Sequence, residues 1–478
     1  MFANRFPRLE PFSADALDVI ERGSMRLVSE IGLQFDHPEA LRLLRDAGQQ
    51  VDGDIGRLDP EFVRTQVAKA PEHFTLHARN PARSLAIGGD AMAFVPVQGP
   101  PFIRRDGVRR DATLADLDDF CRLAQVLDDL DTAGGLPCEP NDRPLDSRHL
   151  DIVRSLLTLT DKPFQGSQIS GVAARDSLAL GRIVYGDRID EVACMYTNVN
   201  VNSPLRYDER MLEALITYAE AGQAVVVTPF LLMGAMAPAS IPAALAQQTA
   251  EALAGIALVQ LIRPGCPVML GSFLSNTDMK TGSPGFGGPE SALGLLASGQ
   301  LARRFRLPWR SGGGALTTSP LPDAQAAYEG TNTMFAAFLA GANLVMHTAG
   351  WLEGGLVASL EKLVVDLEIV RTLREEFTPI EVDEASLAFG AHDEVRHGGH
   401  FLGAAHTLER FRDCFYRPLL STTENHERWQ RNGAKDTAAR AREIADELLA
   451  SYEPPPLDDG ARLEIDEYVD RRRAELGD

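Results

Sequence analysis

The stretch Trp309–Gly355, WRSGGGALTTSPLPDAQAAYEGTNTMFAAFLAGANLVMHTAGWLEGG, holds two strand–loop–helix beginnings in succession. Trp309 to Ser311 reads as the end of a short strand. Gly312, Gly313 and Gly314 then form a loop where backbone can approach a ligand without side-chain obstruction. Pro322 and Asp323 open a helix that closes at Gly341, and Asn343 to His347 reads as a second buried strand. That strand ends on a histidine, a tryptophan (Trp351) and a carboxylate (Glu353). Polar and aromatic residues at the C-terminal ends of strands, each followed by a helix, are the pattern of an α/β active-site rim.

The same rhythm extends upstream. Ala93–Gln98, Thr132–Leu136, Pro163–Gln168, Glu191–Val199, Ala224–Leu232 and Pro267–Phe273 read as strands, each followed by a helical pattern. The intervening helices are Thr113–Leu127, Leu145–Thr160, Val172–Tyr185, Glu209–Ala221, Ile241–Ile262 and Ser291–Phe305, and a last one runs over Leu356–Glu376. Buried apolar strands alternating with helices demand a parallel sheet with crossovers. Eight such units between residues 93 and 377 predict a (β/α)8 TIM barrel, since the first strand is followed by GPPFIRRDG and not by a Gly-rich phosphate turn. Before it, residues 1–92 read as a helical N-terminal cap with helices over Ser13–Gly32, Pro38–Ala47 and Pro60–Lys69 and a strand–turn–strand over Leu76–Ile87. After it, residues 378–478 read as an α-rich extension with a histidine-rich run and two charged helices separated by PPPLDD.

Composition narrows the partners. The 478 residues carry a net charge of −21, which argues against nucleic acid or an anionic membrane as ligand. The five cysteines, Cys121, Cys138, Cys194, Cys266 and Cys414, are scattered without a CxxC, as expected of buried free thiols in a reducing compartment. No signal-peptide pattern and no uninterrupted apolar run of about 20 residues is present, which points to a cytoplasmic protein. His392, His397, His400 and His406 have spacings that match no standard metal-ligand set, and they read as structural. No metal site is expected.

On a barrel, functional side chains sit where strands end. The rim read in this way comprises Gln98, Glu139, Gln168, Tyr196, Asn198, Asn200, Phe230, Phe273, Asn276, Asp278, Ser311, His347, Trp351 and Glu353. It is aromatic and neutral-polar, with few acid–base pairs, no lysine, no HExxH and no P-loop. Aromatic rings around a cavity suit a quaternary ammonium group, although core packing is the competing reading for each ring alone. Glu353 also competes as a first-turn helix carboxylate.

Several long segments carry a further signal: IGLQFDHPEALRLLRDAG (Ile31–Gly48), LTLTDKPFQGS (Leu157–Ser167), VNVNSPLRYD (Val199–Asp208), Gly312–Gly355, and HFLGAAHTLERFR (His400–Arg412). In this order they resemble the trimethylamine methyltransferase family of corrinoid-dependent methyltransferases, and the resemblance covers nearly the whole chain. It implies a TIM barrel that moves a methyl group from a methylated amine to the cobalt(I) of a separate corrinoid-binding protein. No cofactor of its own is then needed, the corrinoid docking over a mouth formed by Gly285, Gly287, Gly312, Gly313 and Gly314. Members specific for trimethylamine carry pyrrolysine; this chain uses the ordinary twenty residues, so the resemblance points to the members without it.

Chemistry agrees with that departure, because a quaternary ammonium is already activated as a methyl donor and needs positioning more than a general acid. In this reading Tyr196, Phe230, Phe273 and Trp351 cage the ammonium. His347, Gln168, Asn198 and Glu353 orient the substrate or the cobalt face, with His347 and Glu353 as the catalytic candidates. A substrate carboxylate, if present, has Asn200, Ser311 or Arg206 as candidate donors, and Tyr328 is a further candidate lining residue. Another barrel activity on a small polar substrate, a lyase or hydrolase, and a non-catalytic quaternary-amine binder stay open as alternatives. A homo-oligomer is expected by analogy.

Overall fold

The computed structural model describes residues 1–477. Its centre is a curled, parallel sheet in which Ala91–Phe94, Leu344–Val345, Trp309–Ser311, Val268–Gly271, Ala224–Met233, Met195–Val201 and Phe164–Gln165 follow one another side by side. The last of these strands in chain order, Leu344–Val345, therefore lies against the first, Ala91–Phe94, with Leu344 opposite Ala93. Phe2–Ala3 adds an antiparallel edge to Ala91–Phe94. Helices cross between consecutive strands, as the alternation of apolar strands and helical patterns predicts.

Side-chain alternation with period two sorts each strand between two apolar layers. Ala93, Tyr196, Ala224, Val226, Met269, Leu344 and Met346 meet on one side of the sheet, together with Leu76, Leu85 and Ile87 from the hairpin Phe74–Leu76/Leu85–Ile87. Their neighbours Phe94, Val225, Val227, Val268, Leu270, Trp309 and Val345 pack with the helices in the main core. Each fully buried aliphatic chain contributes about 1.5–3 kcal/mol relative to exposure.

Local signals fixed many boundaries. Ser13 caps Ala14–Arg26 by accepting from the Ala16 N–H, and Thr113 and Asp116 form a capping box on Leu114–Val126. Asp323 caps Ala324–Ala340, which ends on Gly341 in the left-handed region (φ 71°). Ile241–Ile262 is long and apolar enough to cross a membrane by composition, yet 83% of its apolar window is buried inside the protein, against Ala14–Arg26 and Ala224–Met233.

Three expectations are corrected. The strand expected at Thr132–Leu136 forms a single bridge, Gly134 to Phe164, and Asp131 alone donates to the Phe94 carbonyl. Gly134, at φ 75°, turns the chain out of extended geometry, so the paired sheet is a curled half-barrel within a mixed α/β fold. Next, the N-terminal region is not purely helical. Leu33–Phe35, Gln50–Asp52 and Ile55–Arg57 form a small sheet completed by the distant Arg206–Tyr207, where Tyr207 stacks on Phe35 at 5.5 Å. Finally, a stretch read as a loop and the expected start of the last helix at Leu356 both belong to hairpins. Phe102–Arg105/Val108–Asp111 and Trp351–Leu352/Val357–Ser359 join into one four-stranded ribbon.

The C-terminal helices Thr437–Ala450 and Asp459–Leu476 form where expected and dock on the outer helices. Arg472 and Tyr468 both reach the buried Asp176, at 2.8 and 2.7 Å, and Asp176 also bonds His149 at 2.9 Å. Cys121, Cys138, Cys194 and Cys266 are buried free thiols, whereas Cys414 is exposed.

Candidate active site

A cavity of about 230 Å³ opens where the strands of the curled sheet end. Its lining comes from inward-facing strand residues and from the loops that follow the strands. Gln98 and Gly99 follow the first strand, Gln165 and Gln168 come from Phe164–Gln165 and the loop after it, and Asn198 and Asn200 lie on Met195–Val201. Thr228 and Phe230 sit on Ala224–Met233, Phe273 begins the short strand Phe273–Asn276, and Arg310 lies on Trp309–Ser311. Met346 and His347 follow the last strand, and Trp351 enters from the hairpin.

One wall is a ladder of neutral polar groups. The Thr228 hydroxyl donates to Asn198 Oδ1 at 2.7 Å, and the Asn198 amide donates to Asn200 Oδ1 at 2.8 Å. Gln165 donates to Gln168 Oε1 at 3.1 Å. Gln98 Oε1 accepts from the backbone N–H groups of Gly135 and Leu136, so its orientation is fixed by the turn that displaces the expected second strand.

The opposite wall is aromatic. Phe230 and Phe273 lie 4.7 Å apart, Phe273 and Trp351 6.3 Å apart and nearly parallel, and Phe286 packs edge-on behind both Phe273 (5.2 Å) and Trp351 (5.7 Å). Phe286 belongs to the loop with Gly285 and Gly287, so that loop delivers a ring to the cluster. Asp366 accepts from the Gly350 N–H at 2.8 Å and pairs with buried Lys362, which holds the turn leading to Trp351.

His347 stands between the walls, 4.2 Å from the Trp351 ring and edge-on to it. Its Nδ1 accepts from the Gln98 N–H at 3.3 Å, which leaves Nε2 to carry the proton. Burial, with a smaller contribution from Arg310, holds its pKa well below the ordinary histidine value, so the ring is neutral. His347 also has φ 56°, an unfavourable backbone region for a residue other than glycine. Among the described residues no Asp or Glu lines this cavity.

The other expected site residues sit elsewhere. Tyr196 is fully buried in the inner apolar layer, beneath the cavity wall. Ser311 is buried and donates to the Gly313 carbonyl at 2.9 Å. Glu353 accepts from Arg109 at 2.9 Å, with Arg104 at 3.8 Å, and so ties the two hairpins together. Arg206 pairs with Asp36 at 2.7 Å, Glu139 pairs with Arg148 at 3.0 Å, and Tyr328 is 62% exposed. Asp278 caps its own turn through Lys280 and Thr281.

The glycines serve close packing. A Cβ on Gly312 would lie 2.2 Å from the Ser272 carbonyl, and one on Gly314 2.4 Å from that of His347. On Gly313, Gly285 and Gly287 it would meet Leu295, Asn276 and Glu329 respectively. The four histidines of the C-terminal run do not form a ligand cluster; His392 packs edge-on to Phe401 at 5.3 Å. Among the described residues no group of three His, Cys, Asp or Glu side chains is placed to hold a metal ion.

Arg310, Gln165, Thr228, Met346 and Phe286 are the site residues that the sequence reading misses. Arg310 carries a usable signal: it is a charged residue in the middle of a buried strand, flanked by Trp309 and Ser311 of opposite facing. A larger hollow of about 530 Å³ lies at the surface beside Glu21, Arg64, Arg304 and Arg306. Its charges already pair with one another or with Glu72, as in Arg304–Glu21 at 2.6 Å and Arg64–Glu21 at 3.2 Å.

The chain has relatives among known proteins. The chain is 40% identical over 475 residues to the glycine betaine methyltransferase of Desulfitobacterium hafniense (strain Y51), covering 99% of both chains. It is 28% identical over 472 residues to the proline betaine:corrinoid methyltransferase of Eubacterium limosum, covering 96% of each. In fold it is similar to the crystal structure of the Methanosarcina barkeri monomethylamine methyltransferase (MtmB), with a TM-score of 0.55 at 10% identity over 96% of this chain and 89% of that one. The family model for trimethylamine methyltransferase (MTTB) matches residues 1–477, and the chain belongs to that family.

Proposed function

We propose that this protein takes a methyl group from a quaternary ammonium compound and delivers it to the cobalt(I) of a corrinoid carried by a separate protein. The observation that carries the reading is a cavity with an aromatic wall and, among the described residues, no lining carboxylate, in a chain 40% identical over 475 residues to a glycine betaine methyltransferase. A cationic N-methyl group gains roughly 0.5–2 kcal/mol from each ring face it meets, and Phe230, Phe273 and Trp351 supply such faces. The methyl acceptor, a corrinoid, is a substrate of this reaction; the similarity to the proline betaine:corrinoid methyltransferase of Eubacterium limosum supports that acceptor.

In the transfer the methyl carbon forms its bond to cobalt as the carbon–nitrogen bond breaks. The electron pair of that bond goes to nitrogen, which leaves as a neutral tertiary amine, while cobalt rises formally by two electrons. No proton has to be moved, so a site without an acid–base dyad suffices. Its work is to hold the nitrogen, aim one methyl group outward and keep water away. His347, fixed through Gln98, donates from Nε2 to an oxygen of the substrate. Gln168 and Asn198 present further polar contacts. Glu353 acts through the hairpin that carries Trp351. In architecture, we read the curled sheet as a (β/α)8 barrel completed by residues 131–134, with residues 1–92 before it and 378–478 after it.

Incubation with glycine betaine and cob(I)alamin tests the proposal. Methylated corrinoid and N,N-dimethylglycine appear in equal amounts if it is right; betaine left intact at full enzyme loading, with choline and carnitine also untouched, overturns it.

A further inference from the structure

Among the described residues Arg310 is the one permanently charged side chain on the cavity wall, and none of them gives it a counter-ion. It is 3% exposed. Among the described residues its one protein hydrogen bond runs from a terminal nitrogen to the Ser272 carbonyl at 3.2 Å, and its buried Nε has no partner there. Among the described residues no carboxylate lies within salt-bridge distance of it. Other arginines of low exposure in this chain are paired: Arg8 with Asp90 at 2.9 Å, Arg148 with Glu139 at 3.0 Å, Arg374 with Asp129 at 3.4 Å.

A guanidinium keeps its proton in proteins, so burial here leaves a positive charge stripped of water and unmatched. Burial does weaken its hold on the proton, to a pKa of about 9, still well on the charged side of neutrality. Such a group demands an anion from outside. Its planar fork suits a carboxylate, which it can bind through two parallel N–H groups. The neighbouring side chains cannot supply the anion, being amides, hydroxyls, rings and a neutral imidazole.

The same charge sits in the same 230 Å³ cavity as the rings of Phe230, Phe273 and Trp351. A bare cation entering that space meets an unscreened like charge, whereas a zwitterion places its anion between the two. We propose that Arg310 anchors the carboxylate of the substrate, so that the enzyme selects betaines, with a carboxylate a short spacer from the trimethylammonium group, over choline and simple methylamines. This rests on the functional reading above and extends it from a quaternary amine to a zwitterionic one. Arg310 is a specificity-determining residue for a reaction whose chemistry occurs at the other end of the ligand.

Calorimetric titration separates this inference from the methyl-transfer reading, because binding needs no corrinoid. The ligands are glycine betaine, choline and 3,3-dimethylbutyrate, the last sharing the shape and carboxylate of glycine betaine without its positive charge. Wild-type protein binds glycine betaine at least ~100-fold more tightly than choline and binds 3,3-dimethylbutyrate measurably. Arg310→Gln and Arg310→Met lose ~100-fold or more in affinity for both carboxylates, while choline binds no more weakly than before. Because the substitution removes an unmatched buried charge, neither variant melts at a lower temperature than wild type.

Glycine betaine affinity within about threefold of wild type in folded Arg310→Gln overturns the inference, and so does a wild-type protein that binds choline as tightly as betaine. Methyl transfer from betaine with an unchanged KM in Arg310→Gln overturns it while the methyl-transfer reading stands. Arg310-dependent binding of betaine by a wild-type enzyme that transfers no methyl group overturns that reading and leaves the anchor in place.

Discussion

The backbone N–H of Gln98 donates to Nδ1 of His347 across 3.3 Å, joining the loop after the first strand of the sheet to the loop after the last. The bond selects the His347 tautomer and places Nε2–H toward the cavity, and burial beside Arg310 keeps the ring neutral. A histidine held neutral when folded takes up a proton on unfolding below its ordinary pKa of 6.5. Its contribution is therefore fully present above pH 6.5 and is lost as pH falls toward the depressed folded value.

Comparison of wild type with His347→Asn checks this. Asn tolerates the left-handed backbone at this position and can still accept from Gln98. Urea unfolding at pH 7.0 and 5.5 should show wild type losing about 1 kcal/mol more than the variant across that interval. Methyl transfer by the variant should fall by tenfold or more at both pH values, since the shorter amide cannot bring an N–H to where His347 Nε2–H meets the substrate. Equal pH slopes in the two proteins would mean that His347 titrates normally.

The aromatic wall predicts graded losses. Phe230→Leu and Trp351→Leu each remove one ring face while keeping apolar bulk, and each should weaken betaine binding by about 2- to 30-fold. Neither should weaken 3,3-dimethylbutyrate by as much, because that ligand presents no positive charge to the rings. Parallel losses for both ligands would reduce the wall to shape alone.

Gly314 predicts a defect transmitted through backbone. A methyl group there would press on the His347 carbonyl, 2.4 Å away, and on Thr348 Cα at 2.6 Å. Gly314→Ala should thus lower both thermal stability and kcat, in contrast to Gly282→Ala, whose added carbon meets nothing within 4 Å and whose strain is confined to an exposed turn. Wild-type kcat in Gly314→Ala would detach the glycine loop from the placement of His347.

Glu353 separates a positioning role from a chemical one. Its ion pair with Arg109 holds the hairpins together at the protein's edge, and such partly exposed pairs contribute about 0–1 kcal/mol. Glu353→Gln should keep kcat within about threefold and raise KM slightly, through a loosened Trp351. A kcat loss of a hundredfold with unchanged KM would return Glu353 to the chemistry.

Much of this arrangement is legible in the sequence because its signals are local. The run AVVVTPFLL declares a buried strand, and Ser13, Thr113, Asp323 and Gly341 mark helix ends through bonds made within a few residues. His347, Gln98, Gln168, Asn198, Asn200, Phe230, Phe273 and Trp351 were readable as strand-end residues, and they line one cavity. What escaped depends on distant partners. Whether Gly312 and Gly314 open a mouth or admit a neighbouring carbonyl is decided by Ser272 and His347. Tyr196 and Ser311 occupy strand positions whose facing the run of residues alone left ambiguous, and Glu353 is claimed by Arg109, 244 residues upstream. Arg310 shows in the sequence as a charge inside a buried strand, but its lack of a partner, which gives that charge its meaning, needs three dimensions to see.

The most direct measurement follows the methyl group itself. In a single turnover, glycine betaine bearing trideuterated methyl groups is mixed with the protein and a cob(I)alamin acceptor, and the corrinoid is examined by mass spectrometry. The account predicts a corrinoid that has gained an intact CD3 group, in step with loss of one methyl group from the betaine. A corrinoid carrying no deuterium, with betaine unchanged or cleaved at another bond, would contradict it.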